Sequence, residues 1–476
     1  MLIKLKGEKL HKKIIFFSLN CINFNPLKMK KLFQLIGFAS LITVSYFGFT
    51  TYPKLDLISG FSSKSIASGH FIDHRSQELI ENGDNDIDMI DLATNKIDEN
   101  GKFATASVYG LKERKAIYRE GLGVTLINDD FDVSKLYLVP KRSKLNNNLP
   151  FPYGNNEPKD SVFANIDYAK LNAAVANAFD TKGTKKKRTR SVLVIYKDKI
   201  IAEKYDTGFT KNSKILGWSM TKSITSAVFG VLEKQGKFDI YKPAPIPEWA
   251  NDQRKFITTN DLLHMNSGLE WVENYSTICD ATQMLFQAED MSRSQLEKPA
   301  AFKPNTHWYY SSGTTNLLSG ILRKQFKTHQ EYLDFWYTNL IDKIGMNSML
   351  IETDMAGNYV GSSYGWATTR DWSKFGLLYL HKGNWNGEQI LSENWVKYTA
   401  TPTNSSNDQY GAQFWLNAGG KFPDVPKDMF YCSGYQGQMV AVFPSQDLVV
   451  VRMGLKEDPE FDFNGLLSGI VGSLKK

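Results

Sequence analysis

The spacing of apolar residues divides the chain into predicted helices and strands. Apolar residues recur every three or four positions after Ser219, which predicts an amphipathic helix ending near Gly236. Alternating patterns at 191–196 and 199–205 predict a hairpin, and those at 438–443 and 448–453 predict a second strand pair. Further helical patterns cover 168–179, 258–264, 315–326, 368–381 and 463–474. Strands near both ends of this region, with helices between, predict an α/β (α+β) fold: one antiparallel sheet flanked by helices, beside a mainly helical subdomain.

The chain before residue 151 follows different patterns. Residues 51–80 are polar and rich in Ser and Gly, which predicts a tether, and short strands are predicted within 103–126 and at 136–139. Residues 146–160 are rich in Pro, Gly and Asn, which is typical of a boundary. The predicted organisation is an upstream extension (1–28), a signal peptide or membrane anchor (29–50), a tether with a small N-terminal region (51–150), and the main domain (151–476).

The net charge of +7 is confined to the start of the chain. Residues 1–50 hold eight lysines and one acid, so 8 − 1 = +7, and the remainder holds 57 − 8 = 49 basic and 50 − 1 = 49 acidic residues. Because the body is neutral overall, charge gives no support to nucleic-acid binding.

The segment after Met29 has the features of an export signal. Lys30 and Lys31 precede an apolar run over 32–49 that is near the minimum length of a membrane span. We therefore expect an exported protein of the periplasm or cell envelope. It is either anchored in the membrane by residues 32–49 or secreted after cleavage.

The cysteines and histidines limit which disulfides and metal sites the chain could form. Cys279 and Cys432 lie in the body and could form one disulfide or remain as two buried thiols. The seven histidines show no metal-binding spacing, and no Gly-rich phosphate loop follows a strand. We expect no metal and no cofactor.

Ser219 and Lys222 form the leading catalytic candidate. Three residues apart in a first helical turn, they share one helix face. A partly desolvated lysine with a lowered pKa can take the proton of a serine hydroxyl, and a backbone N–H at the helix start can help to bind an oxyanion. Ser-x-x-Lys alone is also compatible with a helix cap. A second copy begins at Ser473 and is interpreted as chance.

Other motifs add context to this pair. With it, they resemble the serine beta-lactamase and penicillin-binding-protein superfamily, over about residues 160–474. The nearest branch is that of class C–related esterases and 6-aminohexanoate-dimer hydrolase-like amidases. The runs that carry the resemblance are 217–225, 261–269, Tyr310-Ser311-Ser312, 369–378, 434–438 and 444–451.

This resemblance implies a beta-lactamase/DD-peptidase-like fold and an acyl-enzyme mechanism. Ser219 would be the nucleophile, Lys222 its base, and Tyr310 the proton shuttle, with a pKa lowered by the Lys222 ammonium. Tyr310 is alternatively a core aromatic residue, and Tyr309 takes its role if the register differs by one residue.

The resemblance further implies an oxyanion and substrate-binding group at the third motif. Gln438 would supply a backbone N–H after Gly437, and Ser312 stands where lactamases carry Asn. Tyr435 replaces the lysine that binds the substrate carboxylate in lactamases and transpeptidases, which removes a charge-assisted contact. We therefore expect a small amide or ester substrate rather than a penicillin or a D-Ala-D-Ala peptide.

Other interpretations compete with this one. The alternatives are a true beta-lactamase or D-peptidase, and a catalytically silent envelope binding protein on the same fold. Residues 361–365 match the Gly-x-Ser-x-Gly nucleophile elbow, with Ser363 as nucleophile, but lack the preceding strand that an elbow requires. The oligomeric state stays open.

Overall fold

The computed structural model describes residues 26–132, 138–159, 161–181 and 183–475. Residues 1–25 of the predicted extension (1–28) therefore lie outside the described residues. Residues 136 and 137 of the predicted strand (136–139) lie outside them as well. The α-helices are α1 (Pro26–Asp73), α2 (Gln77–Glu81), α3 (Tyr168–Asn177), α4 (Thr221–Lys234), α5 (Thr259–Leu263), α6 (Asp280–Gln287), α7 (Arg293–Leu296), α8 (Ser312–Lys324), α9 (His329–Trp336), α10 (Thr369–Leu380), α11 (Glu393–Thr399) and α12 (Phe463–Val471).

The strands form four antiparallel sheets within the described part of the chain. They are β1 (Ala93–Asp98), β2 (Phe103–Val108), β3 (Leu111–Arg119), β4 (Gly123–Ile127), β5 (Thr189–Tyr196), β6 (Lys199–Tyr205), β7 (Lys214–Leu216), β8 (Leu350–Ile351), β9 (Gly365–Thr368), β10 (Asn384–Trp385), β11 (Glu388–Gln389), β12 (Trp415–Leu416), β13 (Phe430–Gly434), β14 (Gln438–Phe443) and β15 (Leu448–Gly454). Short 3-10 turns at Trp218–Met220 and Tyr435–Gly437 lie next to the candidate site.

The largest sheet has the strand order β12-β13-β14-β15-β5-β6. Its strands come from both ends of the main domain, which confirms the predicted sheet. Side chains of β5 alternate between two hydrophobic clusters, as the two-residue period of a strand requires. Leu193 and Ile195 pack with α4, α8 and α10, whereas Val192 and Val194 pack with α3 and α12. Both faces are covered, and the side that carries α4 also carries the candidate site.

The chain before the main domain is more structured than its composition predicts. Strands β1 to β4 form a meander, and the region expected as a polar tether is helical through Asp73 and again in α2. Two buried serines of α1 have polar partners in the interior: Ser62 donates to Asn95, and Ser68 donates to Glu352. A serine whose hydroxyl is hydrogen-bonded inside the protein can be buried away from water. Composition alone does not show which serines have such partners.

The chain divides into two compact units, the first ending at Pro53 and the second beginning at Lys54. In the first unit, α1 exposes several large apolar side chains, among them Phe33, Leu35 and Phe38. Among the described residues, none of the helices combines the length and apolar character that a membrane span requires. In the second unit, Cys279 and Cys432 are both free and buried, so the disulfide alternative is wrong.

Candidate active site

Ser219 lies on the 3-10 turn that leads into α4 and is half-buried. Trp218, the residue before it, has φ +47°, a left-handed conformation that a bulky residue rarely adopts. The turn is held by close packing at Gly217, whose N–H donates to the carbonyl of Gly365 at 2.8 Å. A Cβ at Gly217 would come within 2.2 Å of the Trp372 ring. The surrounding structure thus fixes the strained backbone that presents Ser219.

Lys222 lies one turn along the helix, with 1% of its surface exposed. Its Nζ is 2.9 Å from Ser219 Oγ, 2.9 Å from Ser312 Oγ and 2.9 Å from the carbonyl oxygen of Ser362. Burial lowers the pKa of Lys222 to about 8, and the charge of Glu273 opposes this shift. A neutral amine is therefore accessible near neutral pH, in contact with the Ser219 hydroxyl.

Tyr310 covers this pair. Its ring centroid is 4.9 Å from Lys222 Nζ, and Ser219 is close enough to its hydroxyl to oppose part of the rise in its pKa. The expectation of a lowered pKa is not met, because burial and the charge of Glu273 raise the pKa of Tyr310 well above that of a free phenol. Tyr310 therefore stays protonated in the free site. Tyr309, the alternative, is exposed and lines a separate cavity.

Glu273 is the site residue that the sequence patterns did not reveal. Its carboxylate accepts hydrogen bonds from Ser312 Oγ at 2.5 Å, from the Ser312 N–H at 3.0 Å and from the Tyr275 hydroxyl at 2.6 Å. The indole N–H of Trp271 donates to it as well. No local spacing marks this residue, because the loop after α5 brings it to Ser312 from 39 positions away.

Ser312 is fully buried and connects Glu273 to Lys222. Its hydroxyl donates to Glu273 and lies near Lys222 Nζ, with the Tyr275 hydroxyl a further 3.1 Å neighbour. Ser312, the residue predicted to bind substrate, thus contacts Lys222. Its hydroxyl already forms hydrogen bonds within the protein in this structure.

The third motif runs directly beside the nucleophile turn. A Cβ at Gly434, at the end of β13, would come within 2.1 Å of the carbonyl oxygen of Gly217, so only glycine fits there. Gly437 has φ +78°, and a Cβ there would come within 2.2 Å of the Lys456 carbonyl oxygen. These contacts explain the glycines of the motif.

The side chain of Gln438 is part of this turn. Its amide donates to the carbonyls of Tyr435 at 3.1 Å and Gly454 at 2.6 Å, and it accepts from the Gly454 N–H at 3.0 Å. The predicted oxyanion role therefore concerns its backbone N–H, whereas the side chain stabilises the turn.

Tyr435 and Ser219 open onto one cavity of about 420 Å³. Tyr435 is half-buried and packs edge-on against Trp218, with ring centroids 5.6 Å apart and planes at 87°. Ser363 also lines the cavity, and its hydroxyl is 2.8 Å from that of Ser362. A strand, β9, follows Ser363 where a nucleophile elbow would have a helix, so the elbow interpretation is wrong. Within the described ranges, no three His, Cys, Asp or Glu side chains are grouped to hold a metal ion.

Comparison with known families agrees with this geometry. The family model for beta-lactamases matches residues 175–467, more than half of the chain. The protein belongs to the beta-lactamase family. The match begins in α3 and extends into α12, so it includes every motif residue discussed above and excludes α1 and the β1–β4 meander.

Proteins similar to this beta-lactamase family member are named as hydrolases. A 6-aminohexanoate-dimer hydrolase of Paenarthrobacter ureafaciens is 24% identical over 312 residues, covering 60% of this chain and 77% of the relative. A Bacillus anthracis protein provisionally named 6-aminohexanoate-dimer hydrolase has a similar structure (TM-score 0.54, 18% identity, 70% of this chain and 88% of the other). So does a family VIII carboxylesterase (TM-score 0.53, 16% identity, 67% and 100%). The fold is that of the beta-lactamases and penicillin-binding proteins, and the chain is a beta-lactamase-like hydrolase.

Proposed function

We propose that the protein is a serine hydrolase that cleaves an amide or an ester through an acyl-enzyme on Ser219. The observation that carries this proposal is the 2.9 Å contact between Ser219 Oγ and Lys222 Nζ, together with the lowered pKa of that lysine. Neutral Lys222 takes the hydroxyl proton as Ser219 Oγ bonds to the carbonyl carbon. The bond from that carbon to the leaving oxygen or nitrogen then breaks.

Tyr310 is suited to protonate the leaving group. Because its pKa is raised, its hydroxyl carries a proton that it can donate, and its position close to Ser219 and Lys222 places that proton beside the reacting atoms. The proton held by Lys222 can replace the one that Tyr310 gives away. Water then attacks the acyl-enzyme by the reverse sequence, which releases the acid and restores Ser219.

An amide or ester without an essential carboxylate is the substrate class that fits best. A phenol at Tyr435 cannot form the charge-assisted contact of a lysine with a carboxylate. The names of the similar proteins, a 6-aminohexanoate-dimer hydrolase and a carboxylesterase, support cleavage of an amide or an ester, whereas the absence of an essential carboxylate is inferred from Tyr435. A true beta-lactamase or D-peptidase activity is the competing function, and the sequence supports it less because of Tyr435.

A substrate panel tests this function. The full-length protein is incubated with p-nitrophenyl acetate, a linear 6-aminohexanoyl amide and a chromogenic cephalosporin, while product release and intact mass are followed. We expect turnover of the ester or the amide, an acyl adduct that maps to Ser219, and little turnover of the cephalosporin. Faster turnover of the cephalosporin than of both other substrates would instead assign beta-lactamase activity.

The activity should depend on pH through Lys222. Its amine must be neutral to accept the Ser219 proton, so kcat/KM should rise with pH and level off above the lysine pKa of about 8. The profile is measured on an ester of the panel, with the spontaneous hydrolysis rate subtracted at each pH. A profile that is flat or falls between about pH 6 and about pH 9 would contradict Lys222 as the base.

Action outside the cytoplasm is a further part of this proposal. It is supported by Lys30 and Lys31 before the apolar run 32–49, as in export signals. Fractionation of cells that produce the full-length chain tests it. Recovery of the protein in the cytoplasmic fraction alone would contradict export.

A further inference from the structure

The cavity at Ser219 has one wall that the matched family region does not supply. Lys54, Leu57, Ile58 and Phe61 of α1 line it, and so does the segment Ile87 to Ile90. All of these positions precede residue 175, where the family match begins. Leu285 and Phe286 of α6 also line the cavity, with Ile278 and the rings of Trp218, Tyr275 and Tyr435. An apolar surface from outside the matched region, the added wall, therefore lies next to the nucleophile.

The added wall is firmly packed. Gly60 lies so close to β4 and α6 that a Cβ would be 3.2 Å from Leu126 and 3.4 Å from Phe286. Phe61 stacks on Trp218, with centroids 6.1 Å apart and planes at 18°. Asp56 accepts hydrogen bonds from Arg114 and from Gln287, the last residue of α6, at 2.9 and 2.8 Å. The cavity is thus a preformed pocket rather than a gap beside a loose segment.

Charge is sparse around the cavity. Lys54 and Asp88 are the charged residues among those that line it in the described part of the chain, and Asp88 is exposed. A charged group buried against the apolar residues would lose its hydration, and only Lys54 and Asp88 of the described lining could compensate it by charge. An apolar chain of the substrate would instead gain from burial, and a volume of about 420 Å³ is within the range of small-molecule pockets.

We propose that this pocket binds an apolar chain attached to the scissile ester or amide, so that the natural substrate is a lipid-like acyl or alkyl compound. This inference rests on the proposed function, since the chain must reach the pocket from a carbonyl at Ser219. Residues 54–61 and 87–90 then determine specificity, which gives the N-terminal region a role in substrate choice.

A chain-length series tests the proposal. Full-length protein is assayed with p-nitrophenyl acetate, butyrate, hexanoate, octanoate and decanoate below their micelle concentrations. We expect kcat/KM to rise by about fourfold per added methylene until the pocket is full, as burial of each methylene allows. A parallel series of acetate esters of longer alcohols shows whether the chain lies on the acyl or the leaving-group side. A flat profile in both series, or a preference for chains that end in a carboxylate or an ammonium group, would overturn the proposal.

Two variants test whether the added wall causes the dependence of kcat/KM on chain length. Leu57→Trp should fill part of the pocket and lower the ratio of octanoate to acetate activity by about tenfold or more. Leu92→Trp is the control, because Leu92 is an apolar residue two positions after the cavity-lining Ile90 that is exposed and does not line the cavity. An unchanged ratio in Leu57→Trp would overturn the assignment of the wall. If acetate itself gives no Ser219-dependent turnover, the proposed function fails, whereas Ser219-dependent acetate turnover without a chain-length preference defeats the pocket proposal alone.

Discussion

Ser219→Ala should reduce kcat/KM on every substrate of the protein by at least about ten-thousandfold, as expected when a catalytic nucleophile is removed. Neither Ser312 nor Ser363 is placed to replace it. Ser312 is fully buried and bonded to Glu273, and the Ser363 hydroxyl is bonded to Ser362. Rates are measured by product release, and intact mass should show no acyl adduct.

Ser473→Ala is a matched control for this substitution. Ser473 begins the second Ser-x-x-Lys copy, is buried, and donates its hydroxyl to the Ile470 carbonyl at 2.6 Å. It lies outside the catalytic group, so its variant should retain wild-type kcat/KM. Retention of more than about a tenth of the activity by Ser219→Ala would contradict the acyl-enzyme proposal, because a nucleophile contributes far more than that. Loss of activity in Ser363→Ala alone would revive Ser363 as the nucleophile.

Local sequence spacing was sufficient to predict that the side chains of Ser219 and Lys222 are in contact. Positions three apart at a helix start share one face, and their side chains meet in the structure at 2.9 Å. The helix begins as a 3-10 turn, with regular α4 from Thr221, so its start differs from the predicted one by two residues. Such small errors at helix ends are common because the first turn often tightens.

Motif resemblance also indicated Tyr310, Ser312, Tyr435 and Gln438. Two features of the site nevertheless depend on contacts that no sequence pattern carries. Glu273 reaches Ser312 across a loop, and the raised pKa of Tyr310 reflects burial in the folded chain. The wall at Leu57 was missed for a different reason. The Ser-rich composition of 51–80 favoured a solvated tether, whereas several of its serines form buried hydrogen bonds, as Ser68 does with Glu352.

Glu352→Gln should destabilise the protein by about 3–5 kcal/mol, because it leaves a buried lysine without its carboxylate. Glu352 is fully buried, and its Oε2 is 2.5 Å from Lys64 Nζ of α1. Burial lowers the pKa of Lys64, while Glu352 raises it and favours its charged form. The same carboxylate accepts from Ser68 at 2.8 Å and from the Val124 N–H at 2.9 Å. The melting temperature measures the loss.

Two further variants separate this ion pair from a general effect of removing a charge. Glu388→Gln breaks the exposed 2.9 Å pair with Lys343 and should cost about 1 kcal/mol or less. Adding Lys64→Met to Glu352→Gln removes the unpaired charge, so part of the lost stability should return. Equal melting temperatures for the Glu352 and Glu388 variants would mean that the pair does not hold residues 54–73 of α1 against the rest of the second unit. In that case the packing at Gly60 and Phe61 must position the pocket wall, and octanoate selectivity should persist in the Glu352 variant.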